Sequence, residues 1–142
     1  MSPDDVPHLA RRTVKIEEIH RYMLSLPGAV EERPFTPEIP VLKVGGKMFA
    51  YLSPDEDPPR LTIKLEPLHG QMLRSTHAGV LPGYHMNKDH WNTVLLNDTM
   101  PVDELLSWID ESYELVLASL SGTARRRALA EAEARKADDP AA

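Results

Sequence analysis

The chain reads as an α+β protein, a single compact domain whose antiparallel sheet carries its helices mainly on one face. Three observations predict this. Ile16, Ile19, Tyr22, Met23 and Leu26 recur at helical spacing and make one apolar stripe, which suits a helix lying on a sheet. From Ile39 the apolar period shortens to two, and two β-rich runs are parted only by Gly45-Gly46. That dipeptide accepts the positive φ of a two-residue hairpin turn. A helical stripe returns over residues 102–120 through Leu105, Leu106, Ile109, Tyr113, Val116, Leu117 and Leu120, long enough to cross a sheet.

In chain order, residues 1–12 are polar, hold two prolines and read as a flexible N-terminal arm. The domain proper is expected over 13–120. Thr13 is the predicted cap of the first helix, Glu17 and Glu18 favour its N-terminal turn, and Pro27-Gly28 stops it. Residues 29–40, rich in Glu and Pro, read as a connection. Strands follow at 39–44 and 47–52, with Met48, Ala50 and Leu52 on one face and Lys47, Phe49 and Tyr51 on the other. Asp55, Glu56 and Asp57 mark a solvated turn. Leu61, Ile63 and Leu65 alternate with Thr62 and Lys64 as a further strand. Pro67 opens a short helix that ends before Gly79, with Leu68, Met72 and Leu73 expected to face the core. Residues 91–96 read as a strand, with Trp91, Thr93 and Leu95 on one face and Asn92, Val94 and Leu96 on the other. Asn97-Asp98-Thr99 is turn chemistry. Residues 121–142 form an Ala/Arg-rich C-terminal tail, helical or disordered, with Leu129 as its only large apolar side chain.

Composition narrows the function classes. The chain has 142 residues, no cysteine and a formal net charge of -6. Disulfides, cysteine-based zinc sites and thiol catalysis are excluded, and the charge is not that of a protein coating nucleic acid by bulk attraction. No apolar run is long enough to span a membrane, and the acidic start lacks an apolar signal core. A cytoplasmic monomer is the expected state. There is no Gly-x-Ser-x-Gly elbow, phosphate loop or dinucleotide fingerprint, so a binding protein is expected rather than an enzyme, with no cofactor.

The densest recognition chemistry lies in Pro82-Gly83-Tyr84-His85-Met86-Asn87-Lys88-Asp89-His90-Trp91-Asn92. Local rules predict a turn at Pro82-Gly83, an extended segment over 84–86 and a second turn at Asn87-Lys88-Asp89. The result would be a hairpin with Lys88 at its tip, His85 and His90 on its strands, and a buried Trp91. His85, Asp89 and His90 could be metal ligands by type. Their spacing is not that of a helical pair, and they read instead as one backbone-bonded histidine and one exposed; no metal is expected.

This string, with Leu26-Pro27-Gly28, Val44-Gly45-Gly46-Lys47-Met48-Phe49-Ala50, Ile63-Lys64-Leu65 and Ser112-Tyr113, closely resembles the MmcQ/YjbR family over residues 14–120. The resemblance implies a CyaY-like, double-wing fold and the label DNA-binding, a fold-level warrant. It carries no role to Arg125, Arg126 or Arg127, which lie beyond it. For a nucleic-acid partner the candidate phosphate contacts by residue type are Lys43, Lys47, Lys64, Arg74 and Lys88, with Tyr84, His85 and Trp91 for stacking and Asn87 and His90 beside them. Between residues 39 and 100 six cations face six anions, so binding requires the two signs to segregate in space. The alternative is a protein- or small-ligand-interaction module on the same aromatic surface. Ser112 and Tyr113 are expected to hydrogen-bond the central stretch.

Overall fold

The first helix, α1, spans Ile16–Ser25 in a computed structural model that describes residues 16–83, 87, 89–97 and 100–138. The N-terminal arm, the Thr13 cap, Tyr84, His85, Met86, Lys88, Asp98, Thr99 and residues 139–142 lie outside the described residues. Helix α1 turns Ile19 and Met23 inward, as its stripe dictates. It is tied sideways by the Tyr22 hydroxyl, which donates to Asp110 at 2.6 Å.

Six strands follow: β1 Ala29–Glu32, β2 Val41–Val44, β3 Lys47–Ser53, β4 Arg60–Lys64, β5 Val80–Pro82 and β6 Trp91–Leu95. They form one sheet in the order β1-β2-β3-β4-β6-β5, antiparallel at every junction. The β2–β3 hairpin turns at Gly45 and Gly46, with φ of +59° and +83°, the left-handed geometry read from the sequence. Helix α2 spans Pro67–Thr76, α3 Val102–Ser119 and α4 Gly122–Asp138. Helix α3 packs on β2, β3 and β4, α1 on β1 and α3, and α2 on β5. The core between helices and sheet is closed by Phe49, Leu42, Val44, Leu52, Leu61, Ile63 and Leu65 from the sheet side and Leu105, Ile109 and Val116 from α3.

Several expectations are corrected. Residues 29–32, expected in a connection, form β1; its glutamates are tolerated because β1 is an edge strand and Glu31 and Glu32 meet His20, Arg33 and Lys43. The alternation assigned to 47–52 breaks at a β-bulge, where Leu42 pairs with Ala50 but Lys43 pairs with Met48. The extra residue, Phe49, turns inward with Ala50, both fully buried, and stands edge-on to Tyr113 at 5.5 Å. Such re-aiming of a side chain is what a bulge does. On α2 the inward residues are Gly70 and Leu73, whereas Leu68 is 80% exposed and Met72 53%. Pro82 is not a launching turn but the last residue of edge strand β5, where its missing N–H costs no ladder bond; the Gly83 N–H continues the pairing to the Trp91 carbonyl at 2.9 Å.

Candidate functional site

Strand β4 fixes the site. Leu61 and Ile63 are fully buried toward the helices, so Arg60, Thr62 and Lys64 project from the helix-free face. The register places Lys64 directly opposite Trp91 on β6. Asn92, the next residue, points the other way and accepts a hydrogen bond from the Arg74 guanidinium on α2. Trp91 is therefore on the helix-free face, and it is half-buried rather than buried. Directly opposed side chains in an antiparallel pair have Cβ atoms about 5 Å apart, so the Lys64 and Trp91 side chains leave the sheet as neighbours on one face.

The turn before Trp91 is built by Asn87. Its side-chain oxygen accepts the Asp89 N–H at 2.9 Å, and its carbonyl accepts the Trp91 N–H at 2.8 Å and the His90 N–H at 3.2 Å. This is the self-closing Asx geometry expected of that residue. His90 lies in the turn, not on a strand. Its carbonyl accepts the Leu65 N–H at 2.7 Å and the Asn92 amide at 3.1 Å, which clamps the turn to the end of β4.

The fold thus brings Lys64, Asn87, His90 and Trp91 together. Lys47 stands apart on the helix side, its Nζ donating to the Ser119 carbonyl at 3.4 Å. Tyr84, His85 and Lys88 lie outside the described residues. Among the described residues, Ser112 and Tyr113 do not bond the central stretch. Ser112 bridges Phe49 and Lys64, and the Tyr113 hydroxyl donates to the Pro27 carbonyl at 2.6 Å.

The same face holds residues that sequence reasoning did not single out. Tyr51 pairs with Thr62 and meets Phe35 edge-on at 5.8 Å. Arg60 opens β4, and its Nε is buried without a hydrogen-bond partner among the described residues. Alternation along β4 was the available signal for Arg60: it shares a face with Lys64, four residues and about 13 Å away. Charge segregates only in part: Arg60 lies at the end that carries the Asp55–Asp57 loop, and Glu66 and Asp89 lie at the Lys64 end. The loop bearing Asp55, Glu56 and Asp57 joins β3 to β4 at the far end from Lys64, whereas Lys47, at the start of β3, shares the Lys64 end. Among the described residues no group of three His, Cys, Asp or Glu is placed to hold a metal ion, and no helix is long and apolar enough to cross a membrane.

Comparison with known proteins follows this geometry. Residues 24–115 match the family model described as YjbR. The chain is 31% identical over 99 residues to YjbR of Escherichia coli K12, covering 70% of this chain and 84% of that one. It is 32% identical over 111 residues to YbdF of Escherichia coli O157:H7, covering 78% and 91%. The crystal structure of a Deinococcus radiodurans protein with a DUF419 domain superposes with a TM-score of 0.76 at 33% identity, over 83% of this chain and 89% of that one. A Pseudomonas syringae crystal structure superposes with a TM-score of 0.63 at 26% identity, over 72% and 99%.

Proposed function

The chain belongs to the YjbR family, and from that premise we propose that it is a binding protein, not an enzyme, that takes DNA on the helix-free face of its sheet. The observation that carries the reading is the cross-strand pair Lys64–Trp91. A lysine and a tryptophan that leave one face as cross-strand neighbours can supply both halves of sequence-tolerant nucleic-acid recognition, a phosphate contact and a stacking surface. The Asp55–Asp57 loop lies at the end of the sheet away from Lys64 and Trp91, so its carboxylates do not face a phosphate held there.

The test is fluorescence anisotropy with labelled single-stranded and duplex oligonucleotides across a salt series. Affinity is expected to fall with salt, by a slope of about 0.7 per phosphate contact on single strands and about 0.9 on duplex. Lys64→Ala should remove about one contact from that slope, and Trp91→Ala should weaken single-strand binding by about 1–3 kcal/mol. Absence of binding at low salt refutes the proposal.

One observation favours a second reading, a small-ligand module. Beside the Phe35–Tyr51 pair lies an open cavity of about 350 Å³ lined by Thr36, Glu38, Ile39, Ser53, Pro54, Asp55 and Glu56. Its three carboxylates suit a cationic molecule and repel phosphate, so a ligand found there would be of a different class from DNA.

A further inference from the structure

Helix α4 lies wholly beyond the span matched by the family model. Its inner stripe is Ala124, Ala128 and Ala132, four residues apart, and of these only Ala128 is buried, at 5% exposure. The helix is seated by close approach rather than by apolar bulk. Gly28 holds a φ of +78°, and a Cβ there would lie 3.0 Å from the Ala128 carbonyl oxygen. Upstream, Leu120 is buried against the Gly45 turn. A helix seated by alanines leaves its remaining faces to solvent, and here they are charged.

Arg125, Arg126 and Arg127 are all exposed. Among the described residues none of them is in an ion pair; Arg126 alone reaches a side-chain partner, the Thr123 hydroxyl at 3.5 Å. Lys47, also exposed, donates to the Ser119 carbonyl three residues before α4 begins. Four cations without carboxylate partners among the described residues therefore lie around the junction of α3 and α4 in a chain whose net charge is -6. Lys64 stands at the same end of the sheet, because β3 starts at Lys47 and β4 ends at Lys64.

We propose that Lys47, Arg125, Arg126 and Arg127 form a second phosphate-binding patch that carries the nucleic-acid path from Lys64 and Trp91 around the end of the sheet onto α4. The inference rests on the DNA-binding reading and extends it to a segment outside the family span. Charge complementarity selects the occupant: arginine presents a planar fork matched to phosphate oxygens, and a polyanion is what an isolated cationic corner on an acidic protein attracts. Consecutive helical positions fan over about 200°, so two of the three arginines reach one strand at a time.

The test compares the full-length protein with the triple variant R125Q/R126Q/R127Q, which removes the charges and keeps unbranched polar side chains of similar helix propensity, and with Lys64→Ala. The probes are a labelled single-stranded oligonucleotide, the matching duplex and phosphatidylserine-containing vesicles. The triple variant is expected to melt as wild type and to lower the salt slope by about 1.4 on single strands, two contacts' worth. If Lys64→Ala lowers the slope and the triple variant leaves it unchanged, the patch is overturned and the sheet-face reading stands. If the triple variant lowers the slope and Lys64→Ala does not, the patch stands and the sheet-face reading fails. No binding of any oligonucleotide by wild type overturns both, and a triple-variant effect on vesicles alone overturns the patch.

Discussion

Ser112 stands between Phe49 and Lys64, accepting the Lys64 N–H at 2.8 Å and donating to the Phe49 carbonyl at 2.5 Å. The last paired residues of β3 and β4 at this end are Ala50 and Ile63. One step further the bulge displaces Phe49, and the hydroxyl of a fully buried serine on α3 stands where the next ladder bond would be. The backbone that carries Lys64 into the candidate site is thus held by a side chain from the opposite layer.

Ser112→Ala leaves that buried amide and carbonyl without their partner. A loss of about 1–3 kcal/mol is expected in urea melts, with faster hydrogen exchange at the Lys64 amide. Lys64→Ala keeps the backbone bond and should change stability by less than about 0.5 kcal/mol. Unchanged exchange at Lys64 in the serine variant would refute the bridging role.

The two tryptophans should separate in the same assay. Trp108 is 4% exposed and meets the His77 ring edge-on at 5.4 Å, so Trp108→Ala is expected to cost about 3–5 kcal/mol. Trp91 is half-buried, so Trp91→Ala loses only part of a ring's burial, about 1–2 kcal/mol. Equal losses, or a larger one at Trp91, would mean that Trp91 serves the core rather than the surface.

These contrasts show where the sequence was legible. Gly45-Gly46 was readable because positive φ leaves a mark on residue type. The stripe of α3 was readable because its period is local. Strand β1 was not, since Glu31 and Glu32 are stabilised in part by His20 and Lys43, each eleven residues away along the chain. Helix α2 misled because it is seated by polar groups. Glu111 accepts the Glu66 N–H at 3.0 Å and pairs with His69 at 2.7 Å, while Arg74 holds Asn92. That frees Leu68 and Met72 to face solvent, against the rule that an apolar stripe marks the core. In the candidate site the composition of 82–92 was visible, but the Lys64–Trp91 pairing depends on β6 lying between β4 and β5, a fact of topology. Ser112 was noticed as a hydrogen-bonding residue, and its partners depend on a bulge that alternation alone does not reveal.

Alkaline pH tests the seat of α1. The Tyr22 hydroxyl is pushed up to about 12 from 10.0 by its hydrogen bond to Asp110, then by burial and by the Asp110 charge. A pKa raised on folding contributes stability that is fully present below the unfolded value and is lost as pH rises through the folded one. The Tyr22 contribution is therefore complete below about pH 10 and fades toward pH 12. Tyr22→Phe should cost about 1 kcal/mol at neutral pH and flatten the alkaline decline. Tyr113, raised by burial and by Glu114, sustains the remainder. A decline of unchanged steepness in Tyr22→Phe would show that the Asp110 bond does not form in solution.

Gly45 and Gly46 share a turn but not an environment, and their alanine variants should differ accordingly. Both hold positive φ, so either alanine incurs the left-handed backbone penalty of about 1–2 kcal/mol. At Gly46 nothing lies within 4 Å of a Cβ, and the penalty ends there; Gly46→Asn, which tolerates that conformation, should recover most of it. At Gly45 a Cβ would fall on the Leu120 side chain, which is itself buried where α3 gives way to α4. Gly45→Ala must therefore displace Leu120 as well, adding an overpacking cost of about 1–3 kcal/mol and loosening the junction that places α4 beside Lys47. Thermal melts should rank the variants wild type, Gly46→Asn, Gly46→Ala, Gly45→Ala in falling order. Chemical shifts in α4 should move in the Gly45 variant only. Equal melting of the two alanine variants would show that Leu120 does not seat against the turn, and with it would go the placement of the arginines beside Lys47.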